Sequence, residues 1–325
     1  MPDPYRLLQY LVAHPEGPSS SAIEALGIDP TDLHALVSTA RERGVRIDYS
    51  NDAICLHDRD VALYDVDAVR CAAARVAPGR LAALEILSEV DSTNAHVAAL
   101  AGQALPLGTV CLAEFQTAGR GRRGRAWRGA YGASVLTSIY WRYAEEIRLE
   151  GLSLSVGVAL LTALQSMGAR NIGLKWPNDV YGDGAKLAGI LIETTSRLGA
   201  WHTVLGIGVN VSGAPATFGD VDQPWTTLDR LMDEPTARDD VAGCLIGYVL
   251  DALAEYEKTG FARARERWAQ FDLTAGRTVQ VQRGQGTITG IARGIDARGA
   301  LRIETPEGVQ TFDSGEVSLR LDEHE

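Results

Sequence analysis

Short apolar runs at helical spacing open the chain. RLLQYLVAH at 6–14 and SSAIEALG at 20–27 predict two helices, and LHALVSTARER carries a third as far as Gly44. The third has a well-marked start, with Asp29 placed as N-cap, Pro30 at the first helical position and Asp32 two places on. Two short strands follow, around Val45 to Ile47 and Ile54 to Leu56, joined through Ser50, Asn51 and Asp52. Helix, helix, turn, helix and a small hairpin predict a winged helix-turn-helix over residues 1–66. Residues 67–80, an alanine run closed by Pro78-Gly79, read as a connecting helix or linker.

From residue 81 to 272 strands and helices alternate. LEILSEV, TVCLAEFQ and SVLTSIYW predict strands, STNAHVAALA a capped helix and GLSLSVGVALLTALQSM a largely buried one. IGLKW, AKLAGILIE and WHTVLGIGVNV predict three more strands, with GDG and RLG between them as hairpin turns. Strands joined by turns this short pair antiparallel, so the sheet is expected to be mixed rather than doubly wound. Two helices close this domain after a polar stretch at 212–226. Residues 273–325, with five short strands and repeated glycine turns, predict a small β-barrel. The expected class is therefore α+β and multidomain: a winged helix-turn-helix, a central α/β catalytic domain and a C-terminal β-barrel.

Composition adds little to this. A chain of 325 residues with 46% hydrophobic content suggests a soluble protein of two or three domains. No apolar run approaches a membrane span and no leader is evident, which predicts a cytoplasmic protein without a membrane partner. Cys55, Cys71, Cys111 and Cys244 are dispersed and are expected to be buried, reduced thiols. The six histidines show no HExxH and no close pair, so no zinc-holding protein cluster is expected.

Charge changes the picture more. The formal net charge is −11, yet EFQTAGRGRRGRAWRG at 114–129 holds Arg120, Arg122, Arg123, Arg125 and Arg128 with no acid between Arg120 and Arg128. Gly119, Gly121 and Gly124 have the spacing of a dinucleotide fingerprint, but arginines and Trp127 follow where an apolar helix should open. A solvated turn, a nucleic-acid patch and an anion-binding loop are the remaining readings. The uncompensated guanidinium groups, the glycines, and the walls supplied by Gln116 and Trp127 favour the anion. Only three of the 31 basic residues are lysines, and Lys175 and Lys186 fall within LKWPNDVYGDGAK, beside Asn178 and Asp179 and shortly before Gly189. WPND is equally a plain tight turn. Lysines, arginines and glycine loops together suit transfer at phosphorus, where the protein positions groups and offsets developing charge.

DSTN at 91–94, EFQTAGRGRRGRAW at 114–127, GLSLSVGVAL at 151–160, KWPNDVYGDGAKLAGILIE at 175–193 and GIGVNV at 206–211 resemble, in order, the biotin protein ligases. With the N-terminal winged helix and the closing VSLR, the chain resembles their bifunctional ligase and biotin operon repressor type. The resemblance implies a class II synthetase-like catalytic domain and an SH3-like C-terminal barrel. It also implies ATP and biotin as substrates, biotin as effector, Mg²⁺, biotinyl-5′-adenylate as intermediate, and a lysine of a biotin carboxyl carrier protein of acetyl-CoA carboxylase as acceptor. A homodimer through sheet edges and operator DNA are the further partners implied.

By the same resemblance Ser92, Thr93, Asn94 and Gln116 line the biotin site, the first three doubling as helix-cap residues. Arg120, Gly121 and Arg122 belong to a loop closing over the adenylate, and Lys186 contacts carboxylate and phosphate, with Gly189 beside it. Arg123, Arg125, Trp127, Lys175, Asn178, Asn210 and Trp225 are placed towards ATP or the adenylate, Trp225 being equally an ordinary core tryptophan. Asp179 is a candidate either to help hold Mg²⁺ or to orient the acceptor amine. DNA reading would fall to Thr31, His34, Ser38 and Arg41 on the third helix. Residues 1–66, however, hold five arginines against eleven acids, the reverse of what phosphate contact wants. A ligase whose winged helix is vestigial, and a ligase for a related acid such as lipoate, are the alternatives.

Overall fold

A computed structural model describes residues 3–50, 52–57, 61–101, 105–129, 131–213, 223–283, 286–313 and 317–321. The N-terminal unit comprises α1 (Tyr5–Ala13), β1 (Glu16–Pro18), α2 (Ser19–Leu26), α3 (Pro30–Glu42), β2 (Ile47–Tyr49) and β3 (Ala53–Leu56). The Asp29 side chain caps α3 by accepting from the Asp32 N–H at 2.8 Å. Leu7, Leu11, Ala22, Leu26, Leu33, Val37, Ile54 and Leu56 lie in its buried core, drawn from one stripe of each helix and one face of β3. Strand β1 has no counterpart in the sequence reading. Glu-Gly-Pro has no alternating apolar pattern, and it pairs with β3 as an edge, where proline is tolerated. The β2–β3 connection includes Asn51, which lies outside the described residues.

Of the two readings of residues 67–80, connecting helix or linker, the structure has the helix, and it is packed. Strand-like Asp65 caps α4 (Val66–Val76) by accepting from the N–H groups of Asp67 and Ala68. The alanine run then lies against α7 (Arg238–Thr259), where a Cβ on Gly243 would stand 2.4 Å from Ala72 Cβ and one on Gly247 2.7 Å from Val76 Cβ. Small residues on both helices let their backbones approach. Just ahead of α4, the buried Glu114 carboxylate accepts from the Arg238 guanidinium and, at 2.7 Å, from the Tyr64 N–H. Burial pushes the Glu114 pKa up and the Arg238 charge opposes it. This contact ties the chain leaving the N-terminal unit to the central sheet.

That sheet has the order β4-β5-β6-β10-β9-β8-β7, from β4 (Ala83–Val90), β5 (Thr109–Gln116), β6 (Ser134–Ala144), β7 (Ile172–Lys175), β8 (Asp179–Gly182), β9 (Ala185–Arg197) and β10 (Ala200–Asn210). Only β4 and β5 run parallel, with α5 (Thr93–Leu100) as their crossover, so the sheet is mixed as expected. One strand escaped the sequence: β8 stands between IGLKW and AKLAGILIE, so those two are not neighbours and the GDG turn joins β8 to β9. Its four residues begin inside WPND, which reads locally as a turn.

Helices α6 (Leu152–Ser166), α7 and α8 (Ala262–Phe271) cover one face, where Val110, Leu112, Val135, Leu160, Leu245 and Val249 share a core. Helix α5 packs on β5, β6 and β10 on the other face, which carries the inward residues of opposite parity: Cys111 and Ala113, Ser138, Gly206 and Gly208, Gly189 and Leu191. The C-terminal strands β11 (Thr278–Arg283), β12 (Gly286–Ile295), β13 (Leu301–Thr305), β14 (Gly308–Phe312) and β15 (Val317–Leu321) form an antiparallel sheet of order β14-β13-β12-β11-β15. The Trp176 indole N–H donates to Gly299 O at 3.0 Å and links it to the domain of the central sheet. Among the described residues no helix is long and apolar enough to cross a membrane.

Candidate active site

The start of α5 supplies one wall of a cleft over the sheet. Ser92 is the N-cap, and Thr93 donates from both N–H and hydroxyl to Gln116 Oε1, at 2.7 and 3.0 Å. Asn94 Nδ2 donates to Glu193 Oε2 at 2.7 Å, while the Asn94 amide oxygen lies 2.6 Å from Ser138 Oγ. A Cβ on Gly206 would fall 2.4 Å from that oxygen, so this glycine is what leaves room for Asn94. Of the three residues expected to cap α5 only Ser92 does so, accepting from Ala95 N–H; Ser92, Thr93 and Asn94 are all buried and line the cleft.

The arginine loop forms the opposite wall. Instead of an open glycine lid it is a small hairpin: Trp127 N–H donates to Gly119 O, Gly121 N–H to Arg125 O at 2.7 Å, and Arg120 pairs with Ala126. A single 3-10 turn, Arg122–Gly124, reverses the chain, with Arg123 at φ +59 and Gly124 at φ +73. Trp127 then lies flat on two glycines, since a Cβ on Gly208 would stand 2.3 Å from its ring and one on Gly189 2.9 Å. Its buried indole N–H has no hydrogen-bond partner among the described residues. Arg120 reaches Glu193 Oε2 at 3.1 Å, and Arg122 Nη1 donates to Asn178 Oδ1 at 3.2 Å. Burial above all lowers the Arg122 pKa; Asp179 opposes this, and Arg125 and Arg123 add to it. Arg123 and Arg125 are exposed.

Lys186 enters from the third side. Its Nζ stands 2.9 Å from Asp179 Oδ1 and 5.5 Å from the Trp127 ring centroid, with side chains of Lys186 and Asp179 only 12% and 15% exposed. The distance is that of an ion pair, although Asp179 Oδ1 accepts no well-directed hydrogen bond. The Lys186 backbone is held by Pro224 O and Thr226 N–H, both at 2.9 Å, which brings the half-buried Trp225 alongside. Asn178 faces the cleft, donating to Ile190 O at 2.7 Å.

Not every expected residue reaches the cleft. Lys175 is turned to Tyr181, with Nζ 3.0 Å from its hydroxyl. Asn210 is buried and donates to Thr226 O at 3.2 Å, and Trp225 lies beneath the Arg230 guanidinium, 5.6 Å from the ring centroid. Asp179 touches the cleft through Lys186. Of the expected closing stretch after Asn210, residues 214–222 lie outside those described. Conversely, Glu193 and Ser138 were missed. Glu193 is inside a quoted motif, two pleats beyond Gly189 on the same face, so alternation alone would have pointed it at the cleft.

Arg120, Arg122, Arg125 and Lys186 thus meet two carboxylates, Asp179 and Glu193, around a polar floor. A surplus of cation over acid in a partly desolvated cleft favours an anionic ligand, and the neutral Ser92, Thr93, Asn94 and Gln116 set suits a polar, uncharged ring.

The face expected to read DNA has a different balance. Thr31 and His34 are exposed and Ser38 half-buried, with His34 against Tyr49. Arg41 spends its guanidinium on Ile47 O, at 2.9 and 2.7 Å. Arg43 points back to the central sheet, chelating Glu89 at 2.9 and 3.1 Å and stacking over Phe115.

Residues 87–210 match the Biotin/lipoate A/B protein ligase family and residues 274–320 the Biotin protein ligase C terminal domain. The chain is 34% identical over 304 residues to the bifunctional ligase/repressor BirA of Escherichia coli (strain K12), spanning 91% of each. It is 34% identical over 241 residues to the biotin–[acetyl-CoA-carboxylase] ligase of Mycobacterium tuberculosis, covering 72% of this chain and 88% of that one. Among solved structures, the biotin protein ligase of Aquifex aeolicus in complex with biotin and ATP superposes with a TM-score of 0.64 at 30% identity, over 74% of this chain and all of that one.

Proposed function

The chain belongs to the biotin protein ligase family, and from that premise we propose how its cleft joins biotin to ATP and passes the acyl group to a carrier lysine. The enzyme is a biotin–[biotin carboxyl-carrier protein] ligase. The observation that carries the site assignment is the convergence of Lys186, Arg120 and Arg122 on a cleft floored by Ser92, Thr93, Asn94 and Gln116.

In the first step a biotin carboxylate oxygen attacks the α-phosphorus of ATP; the bond to pyrophosphate breaks and biotinyl-5′-adenylate forms. Both reactants are anions, so the chain's task is to bring them together and to offset charge as it builds. Lys186, freed from Asp179 by the incoming oxygens, serves both the carboxylate and the phosphate. Arg120 and Arg122 close over the product and exclude water from the mixed anhydride. Glu193 holds Arg120 and Asn94 on one carboxylate and so couples the position of the lid to the biotin wall. In the second step the carrier amine attacks the acyl carbon, AMP leaves, and the amine proton passes to solvent or the leaving phosphate. Arg123, Arg125, Trp127 and Asn178 belong to the nucleotide side of this reading; Asn210 and Trp225 support it by holding the strand that carries Lys186. Lys175 acts at one remove, through Tyr181.

Mg²⁺ arrives with the triphosphate, and Asp179 is the residue that would hold it: its buried Oδ1 lacks a directed hydrogen bond, and one carboxylate besides phosphate oxygens is an ordinary set for this ion. Bound there, the ion would neutralise phosphate charge. The units proposed from the sequence, 1–66, 81–272 and 273–325, stand in this reading as winged helix, ligase domain and SH3-like barrel, with α4 belonging to the ligase domain's packing. A homodimer through sheet edges completes it and is checked by sedimentation.

Pyrophosphate release separates biotin from lipoate. Release with biotin and none with lipoate is expected; equal release with both overturns the substrate assignment.

Biotin-responsive repression is the second reading. It is supported by the E. coli relative, whose name includes repressor and whose match extends over the N-terminal unit. Against it stand the engagement of Arg41 and Arg43 and the acid excess of residues 1–66. Fluorescence anisotropy on a promoter fragment with biotin and ATP, at varied salt, decides between them: salt-dependent specific binding supports repression, and its absence leaves a ligase with a vestigial winged helix.

A further inference from the structure

On the sheet face beneath α5, away from the cleft, three side chains of different chemistry meet. The parallel register sets Glu85 of β4 directly beside Cys111 of β5, and His96 comes down on both from α5. One carboxylate oxygen, one imidazole nitrogen and the thiol sulfur lie within 4.8 Å of one another. His96 Nε2 is already 2.8 Å from Glu85 Oε2. The thiol is buried among Val97, Tyr140 and Val204, and its own contact is a weak one, 3.7 Å to Leu112 O. Glu85 and His96 are 49% and 27% exposed, so the trio opens to solvent on one side only.

We propose that Glu85, His96 and Cys111 form a zinc site, three protein ligands with a water in the fourth position. Sulfur, imidazole and carboxylate together are a borderline set that suits Zn²⁺, whereas Mg²⁺ or Ca²⁺ would want oxygen alone. Zinc bonds of roughly 2.0 to 2.3 Å require the donors to close to roughly 3.3–3.8 Å, within reach of rotations of Glu85 and His96 about a fixed thiol. Binding forms the Zn–S bond as the S–H bond breaks, and the proton leaves to solvent. The ion would pin α5 to β4 and β5 one turn beyond Ser92, Thr93 and Asn94. The site is absent from the sequence reading because its ligands come from three elements and share no local spacing. It stands independently of the ligase mechanism.

The full chain is loaded with zinc, dialysed against metal-free buffer and analysed for metal per protein. About one zinc per chain is expected, and a Co²⁺-loaded sample should show the near-ultraviolet thiolate-to-cobalt absorption. Cys111→Ala should abolish that band, and Glu85→Gln and His96→Gln should each weaken zinc binding at least as much as the roughly 10–100-fold cost of losing an outer partner. Circular dichroism checks that each variant is folded; Glu85→Gln, at the exposed edge, keeps the test open if a buried change unfolds the chain. Zinc well below one per chain, Co²⁺ bound without a thiolate band, or retention unaltered by Glu85→Gln and Cys111→Ala would each overturn the site.

Discussion

Two groups of arginines show how little a cation count says by itself. At the end of α3, Arg41 is consumed by a backbone carbonyl of the neighbouring strand and the C-cap Arg43 by Glu89, so residues that look fit for phosphate contact hold the fold together instead. In the hairpin at 120–126, Arg120 shares one carboxylate with Asn94, Arg122 leans on a neutral amide, and Arg123 and Arg125 face solvent. The first group is satisfied, whereas the second still has donors to give. Partners, not charge, separate an arginine that builds from one that binds.

The sharpest way to press that difference is at the cleft's lysine. Lys186→Ala is expected to cut adenylate formation by roughly 10²–10³-fold, the cost of removing one charge-stabilising donor, with circular dichroism unchanged; undiminished pyrophosphate release would dismiss its role. Arg120→Ala should speed loss of the adenylate by about tenfold, equivalent to about 1.4 kcal/mol, read as an off-rate by rapid dilution. Glu193→Gln keeps the shape but drops the charge that holds Arg120, and a smaller rise of about two- to fivefold in the same off-rate is expected, since only one charge-assisted bond weakens. An unaltered rate in both variants would show that the hairpin does not close over the ligand. At the other pole, Arg43→Ala should lower stability by about 1 kcal/mol, as a partly exposed ion pair does. That change is read as a lower Tm with adenylate synthesis intact. If synthesis fell with it, the division between the two groups would blur.

How much of this was legible in the sequence follows physical lines. Long strands and helices announce themselves by period, and β5, β6, β9, β10, α5 and α6 lie where alternation and helical spacing put them. Strands β1 and β8 do not, because three or four residues made of Glu-Gly-Pro or set inside WPND carry no period and exist only through their neighbours' hydrogen bonds. Helix α4 read from the sequence as a connecting helix or a linker because alanines carry a weak apolar signal, yet their smallness is what fits them to Gly243 and Gly247. The cysteines divide the same way: Cys111 is buried, Cys71 is exposed and Cys55 and Cys244 lie between, contrary to the expectation that all four are buried. In the cleft, contiguous motifs delivered Ser92, Thr93, Asn94, Arg122 and Lys186 to one place. That Lys175, on the edge strand β7, is turned to Tyr181, while Lys186 reaches the cleft beside the register shift between Val180 and Tyr181, depends on strand pairing rather than on any motif.

The central claim is that this cleft makes an activated biotin and gives it to a carrier lysine. Incubation of the full chain with ATP, Mg²⁺, biotin and a biotin carboxyl carrier domain, followed by intact-mass measurement of the carrier, tests it most directly. A gain of one biotinyl group, absent without ATP and lost with Lys186→Ala, is the predicted result; a carrier of unchanged mass contradicts it.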